Sequence, residues 1–108
     1  TYISDLIRMY ELILESNREV KEPINLGTGV EVSVIDLANK IIEICGKKGK
    51  LKPVHVSARP GEVGRLCADY AKAKEIFGWR PNYSLEDGLK EFVEWHKNYR
   101  FEEWTKPT

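Results

Sequence analysis

Arg59 and Glu62 bring a permanent cation and a carboxylate to one turn, with Pro60-Gly61 between them. A guanidinium offers forked donors that match phosphate oxygens two at a time. Pro60-Gly61 forces a turn and leaves the backbone bare for close approach. A carboxylate beside it can accept both hydroxyl protons of a ribose. The set suits a nucleoside diphosphate. The competing reading is an exposed Arg-Glu pair on a surface turn, which contributes little stability. Leu66, four residues after Glu62, reads as filling the core beneath this loop. Arg65 is within reach of phosphate or is simply solvated.

Two further patterns carry chemistry. Tyr70-Ala71-Lys72-Ala73-Lys74 sets Tyr and Lys four residues apart on one helix face. A lysine there can lower the phenol's pKa for proton transfer. Gly27-Thr28-Gly29 lies between an expected strand and an expected helix, as a dinucleotide loop would. Val32 stands where the third glycine belongs, and the helix begins one turn too late. Glycines for a tight corner explain that turn better. Cys45 and Cys67 have no metal or disulfide spacing and read as small buried apolar residues. His55 and His96 lack partners at ligand spacing, so no metal site is expected. Lys47, Lys48 and Lys50 read as a solvated turn.

The elements that must position these residues follow from periodicity. Ile3, Leu6, Ile7, Tyr10, Ile13 and Leu14 recur at helical spacing, so residues 4–16 predict an amphipathic helix with that stripe inward. Met9 and Leu12 fall off the stripe, which makes the helix apolar on a second face. Pro23 to Leu26 reads as a short strand. Ser33 caps a second helix, with Asp36 as its capping-box partner and Val34, Leu37, Ala38, Ile41 and Cys45 inward. Leu51 to Ser57 is strand-like, with Val54 and Val56 on one face. Asp69 opens a third helix that Gly78 closes. Ser84 opens a fourth, whose stripe is Leu85, Leu89, Phe92, Val93 and His96. Trp79 and Trp95 are expected to pack, and the tail from Phe101, with Trp104 and Pro107, to be loosely attached. The expected fold class is mixed α/β, with about four helices and two to three short strands.

At 108 residues the chain is one small domain at most. Hydrophobic content of 42% fits a globular protein. Lys+Arg and Asp+Glu balance at 17 each, which argues against a nucleic-acid surface. No run reaches transmembrane length and no signal peptide is visible, so no membrane partner and a cytoplasmic setting are expected. The chain opens on Thr1 and its one methionine is Met9, so it reads as a piece of a longer protein.

The order of these segments resembles the C-terminal lobe of the extended short-chain dehydrogenase/reductase family, the nucleotide-sugar epimerases and dehydratases. The resemblance rests on Tyr2-Ile3-Ser4-Asp5-Leu6, Asn25-Leu26-Gly27-Thr28-Gly29, Ser33-Val34, Ala58-Arg59-Pro60-Gly61-Glu62, Ala68-Asp69 with Lys72-Ala73, Gly78-Trp79-Arg80-Pro81, and Ser84 to Leu89. It implies that residues 1–108 form the nucleotide-sugar-binding lobe and that the Rossmann domain they normally pack on is absent. It implies that Arg59 pairs with the diphosphate, Glu62 binds the ribose hydroxyls and Leu66 faces the sugar. It implies NAD in the parent enzyme and none bound by this chain. Tyr70-x-x-x-Lys74 comes long after the family's catalytic position, so no catalytic residue is expected here. The parent reaction is a 4-epimerisation or a 4,6-dehydration. Glu62 argues mildly against dTDP-glucose dehydratases, which typically carry histidine there. The alternative is a standalone, non-catalytic binding or interaction module derived from the lobe. The expected partners are a nucleotide-diphosphate sugar, the missing domain and, through the first helix, a second copy of the chain.

Overall fold

Four helices in two pairs make up the computed structural model, which describes residues 1–99. Helices α1 (Ile3–Glu15) and α3 (Ala71–Phe77) form one pair, and α2 (Val34–Ile44) and α4 (Leu85–Asn98) the other. The expected loose tail from Phe101, with Trp104, lies outside the described residues.

The capping residues set the helix ends. Asp36 N donates to Ser33 Oγ at 3.1 Å, and Asp87 N donates to Ser84 Oγ at 3.1 Å. Each satisfies one of the orphan amides of a first turn. Gly78 ends α3 at φ +67°, a left-handed value that glycine adopts without strain. Asp69 acts one residue before the assigned cap, its Oδ1 accepting from Ala71 N at 2.8 Å.

The core lies between α1 and α3. Met9, Ala73 and Trp79 are buried, and Leu12, Ile24, Leu26, Tyr70 and Phe77 pack against them. Tyr70 meets Trp79 edge-on, with ring centroids 5.9 Å apart. The inward face of α1 is therefore Asp5, Met9 and Leu12, the reverse of the expected one. Ile3, Ile7, Tyr10 and Leu14 point outward, and Leu14 is 85% exposed. Both faces are apolar, and periodicity alone does not choose between them. In the α2–α4 pair only Val93 is buried; Val34, Ile41, Phe92 and His96 of the expected stripes are exposed. Trp95 is half exposed and stacks between Phe92 and Tyr99. Cys45 and Cys67 are exposed free thiols, against the expectation of burial.

The mixed α/β expectation fails: no strand occurs among the described residues. Pro23–Leu26 and Leu51–Ser57 have the composition of strands but no ladder. A strand exists only by pairing. Neither segment has a partner here, and Val54 and Val56 are both 86% exposed.

Candidate functional site

A glycine turn forms the floor of the site. Gly27 is buried so tightly under Ala68 that a Cβ on it would lie 2.5 Å from the Ala68 Cβ. Gly29 has φ +70° and faces the Tyr70 ring, 3.5 Å from where its own Cβ would stand. The turn is thus covered by Ala68 and Tyr70. Gly27 is buried and Gly29 is exposed beside the ring, and Ser33 and Asp36 cap the helix behind the turn. Tyr70, the phenol of the Tyr-x-x-x-Lys pattern, is half buried in the core against Trp79.

From that floor the chain projects an arm that carries the predicted residues. Arg59 and Glu62 come together. Arg59 Nε lies 3.4 Å from Glu62 Oε1, and Arg59 N donates to Glu62 Oε2 at 3.2 Å. Glu62 N donates to Arg59 O at 3.3 Å, and Gly61 turns the chain at φ +82°. The Arg59 side chain is 88% exposed, so the pair is solvated and weakly held. Leu66 is 78% exposed, which removes the core-filling role considered for it. Arg65 is solvated, its side chain 84% exposed, and it is also paired. Its Nε donates to Glu31 Oε1 at 2.8 Å and its Nη2 to Glu31 Oε2 at 2.6 Å. That fork holds the Glu31 carboxyl below its usual range and raises the Arg65 guanidinium.

The sequence reading missed the role of Asp5. Its carboxylate is 1% exposed and accepts from Asn82 N at 3.0 Å, Tyr83 N at 3.1 Å and Arg8 Nη2 at 3.0 Å. Its backbone carbonyl accepts from Trp79 Nε1 at 2.8 Å. Arg8 also donates to Arg80 O and lies over the Trp79 ring, 5.8 Å from its centroid. Burial pushes the Asp5 carboxyl up, but the Asn82 and Tyr83 amides and Arg8 outweigh it and hold the value down. This knot fixes the α3–α4 connection on α1. One signal for it was available: Asp5 and Arg8 share a helix face with Met9 and Leu12.

Two shallow grooves lie along Arg18–Glu22, one of them reaching Met9, Ile24 and Phe77; neither includes Arg59, Glu62 or Leu66. No cluster of three or more His, Cys, Asp or Glu near enough to hold a metal occurs among the described residues. No helix among them is long and apolar enough to cross a membrane.

Residues 1–92 match the family described as GDP-mannose 4,6 dehydratase. A dTDP-glucose 4,6-dehydratase of Streptomyces niveus is 33% identical over 106 residues, covering 98% of this chain and 30% of the relative. UDP-glucuronic acid decarboxylase 1 of Xenopus tropicalis is 31% identical over 96 residues, 89% of this chain and 22% of that protein. The crystal structure of a Thermotoga maritima UDP-glucose 4-epimerase with UDP-glucose superposes with a TM-score of 0.82 at 38% identity. It covers 91% of this chain, which spans 30% of that one. The chain spans a third or less of the length of these relatives.

Proposed function

We propose a function from the premise that the chain belongs to the extended short-chain dehydrogenase/reductase family, among the nucleotide-sugar epimerases and dehydratases. It is the C-terminal part, residues 1–108, that grips the nucleotide diphosphate of a sugar donor in an NAD-dependent 4-epimerase or 4,6-dehydratase. One observation carries this reading. The same stretch recurs in a dehydratase, a decarboxylase and an epimerase whose names carry dTDP-glucose, UDP-glucuronic acid and UDP-glucose. Reaction, base and sugar differ among them. What those names share is a nucleoside diphosphate joined to a sugar. A segment shared across these different reactions is best matched to that shared part.

In this reading Arg59 turns from Glu62 to the diphosphate, and Glu62 is left for the ribose hydroxyls. The exchange is cheap because the Arg59–Glu62 pair is exposed. Leu66 faces the sugar. Grip on these remote groups positions the sugar ring for chemistry. Hydride transfer belongs to NAD, held by residues outside this chain. The outer apolar face of α1 is covered by the rest of the longer protein, or by a second copy when the chain is alone.

The test is calorimetric titration of the full-length protein with UDP-glucose, dTDP-glucose and GDP-mannose. Saturable one-to-one binding of at least one, weakened in Arg59→Ala while NAD binding holds, is expected. No binding of any of the three, or equal affinity in the variant, would remove the reading. The standalone-module alternative has no specific observation in its favour.

A further inference from the structure

The Arg59–Glu62 turn belongs to an arm, residues 52–67, with almost no anchorage. Val54, Val56, Val63 and Leu66 are all exposed, so apolar burial does not hold it. The hydrogen bonds between Arg59 and Glu62 are internal to the turn. Among the described residues, every hydrogen bond from the arm to the rest of the molecule comes from one side chain, Arg65, and goes to one acceptor, Glu31. Glu31 lies between two anchored places in the chain. Behind it Gly27 is wedged under Ala68, and ahead of it Ser33 and Asp36 lock the start of α2.

We infer that the Arg65–Glu31 fork is a strap that sets the position of the Arg59–Glu62 turn, and that both residues are positioning residues for the nucleotide sugar. The inference rests on the proposed function. The fork joins residues 34 positions apart with two parallel bonds, the strongest geometry open to an exposed ion pair. Its contribution to global stability is small, since both groups touch water. Its effect is on order. A loosely attached arm must be immobilised when ligand binds, and that cost weakens affinity. A strap closed beforehand removes part of it. Arg65 acts through the arm's geometry, with its Nε and Nη2 engaged by Glu31.

The test uses the full-length protein with Arg65→Gln, Glu31→Gln and the exchanged pair Arg65→Glu with Glu31→Arg. UDP-glucose, dTDP-glucose and GDP-mannose are the probes, and amide exchange at Gly61, Glu62 and Gly64 is read in parallel. Both single variants are expected to weaken binding by about three- to tenfold and to speed exchange on the arm. The exchanged pair is expected to restore most of both. Weakening in Arg65→Gln but not in Glu31→Gln would make Arg65 a direct ligand and overturn the strap. Unchanged arm exchange in the single variants, or no recovery in the exchanged pair, would overturn it too. If the wild type binds none of the probes, the proposed function falls, and arm exchange alone decides the strap by the same criteria.

Discussion

Asp5 carries a charge where water does not reach, and three donors on its carboxylate hold it there. Asp5→Ala leaves the Asn82 and Tyr83 amides without an acceptor and should cost about 2–4 kcal/mol in denaturant unfolding. The held-down pKa adds a pH signature. Above the ordinary value of 3.8 the contribution is fully present, and it is lost as pH falls through the lower folded value. The melting temperature should therefore drop from about pH 4 downward, and Asp5→Asn should flatten that drop. Glu22, Glu31 and Glu86 are also lowered, by Lys72, Arg65 and Lys90, but those pairs are exposed. Salt screens such pairs and leaves a buried one largely intact, so the Asp5 part should persist at high ionic strength. Gly27 makes a second residue-level case. Gly27→Ala sets two methyl carbons at 2.5 Å and should destabilise by about 1–3 kcal/mol. Ala68→Gly in the same chain should recover most of that, which a loss of backbone freedom alone would not allow. At Arg59, losing a charge-assisted contact to a desolvated phosphate should weaken nucleotide-sugar binding by about 1.5–3 kcal/mol, or roughly ten- to a hundredfold. Arg59→Lys should regain only part, since lysine lacks the fork.

Helices need only their own neighbours, and that is why they were legible. The caps Ser33 and Ser84, the stop at Gly78 and the 3.6-residue period are all local, and each expected helix is present within a residue or two. Ser33→Ala and Ser84→Ala should each cost about 1 kcal/mol, read as a shift in urea midpoint at constant slope. Strands need a partner elsewhere, and sequence composition cannot say whether one is present. Val54 and Val56 alternate as a strand should, yet nothing among the described residues pairs with their segment. The face of α1 was misread for a related reason. Ile3, Ile7, Tyr10 and Leu14 line one side, and Met9 and Leu12 the other. Only the polar residue Asp5, which is buried because Asn82 and Tyr83 reach it, decides between them. The Arg59–Glu62 contact was legible, since three residues of spacing around a Pro-Gly turn bring the two together. The Arg65–Glu31 fork was not, because 34 residues separate its halves and neither belongs to a motif.

The whole molecule exposes more than a closed domain of its size would. Its accessible surface is 9458 Å², against roughly 6,200 Å² for a folded monomer of 12.5 kDa. Its radius of gyration is 17.7 Å, where about 13 Å is usual for this length. Large apolar side chains are among what is exposed: Ile3, Ile7, Tyr10 and Leu14 on α1, Val54 and Val56 on the arm, and Val34 on α2. Surfaces of that kind are covered in working proteins, and relatives roughly three times as long have the chain to cover them. The 108-residue chain by itself should therefore be only marginally stable and should associate as its concentration rises. Sedimentation over a concentration series reads this directly. Ile7→Glu together with Leu14→Glu should push the chain toward monomer without unfolding it, because both side chains lie on the outer face. Met9→Ala, on the inner face of the same helix, should instead unfold it, at a cost of about 2–5 kcal/mol. The two variants separate a contact surface from a core on one helix. A wild-type chain that stays monomeric and stable across the series, with the double variant no different, would mean that this face needs no cover, and would favour a module built to stand alone.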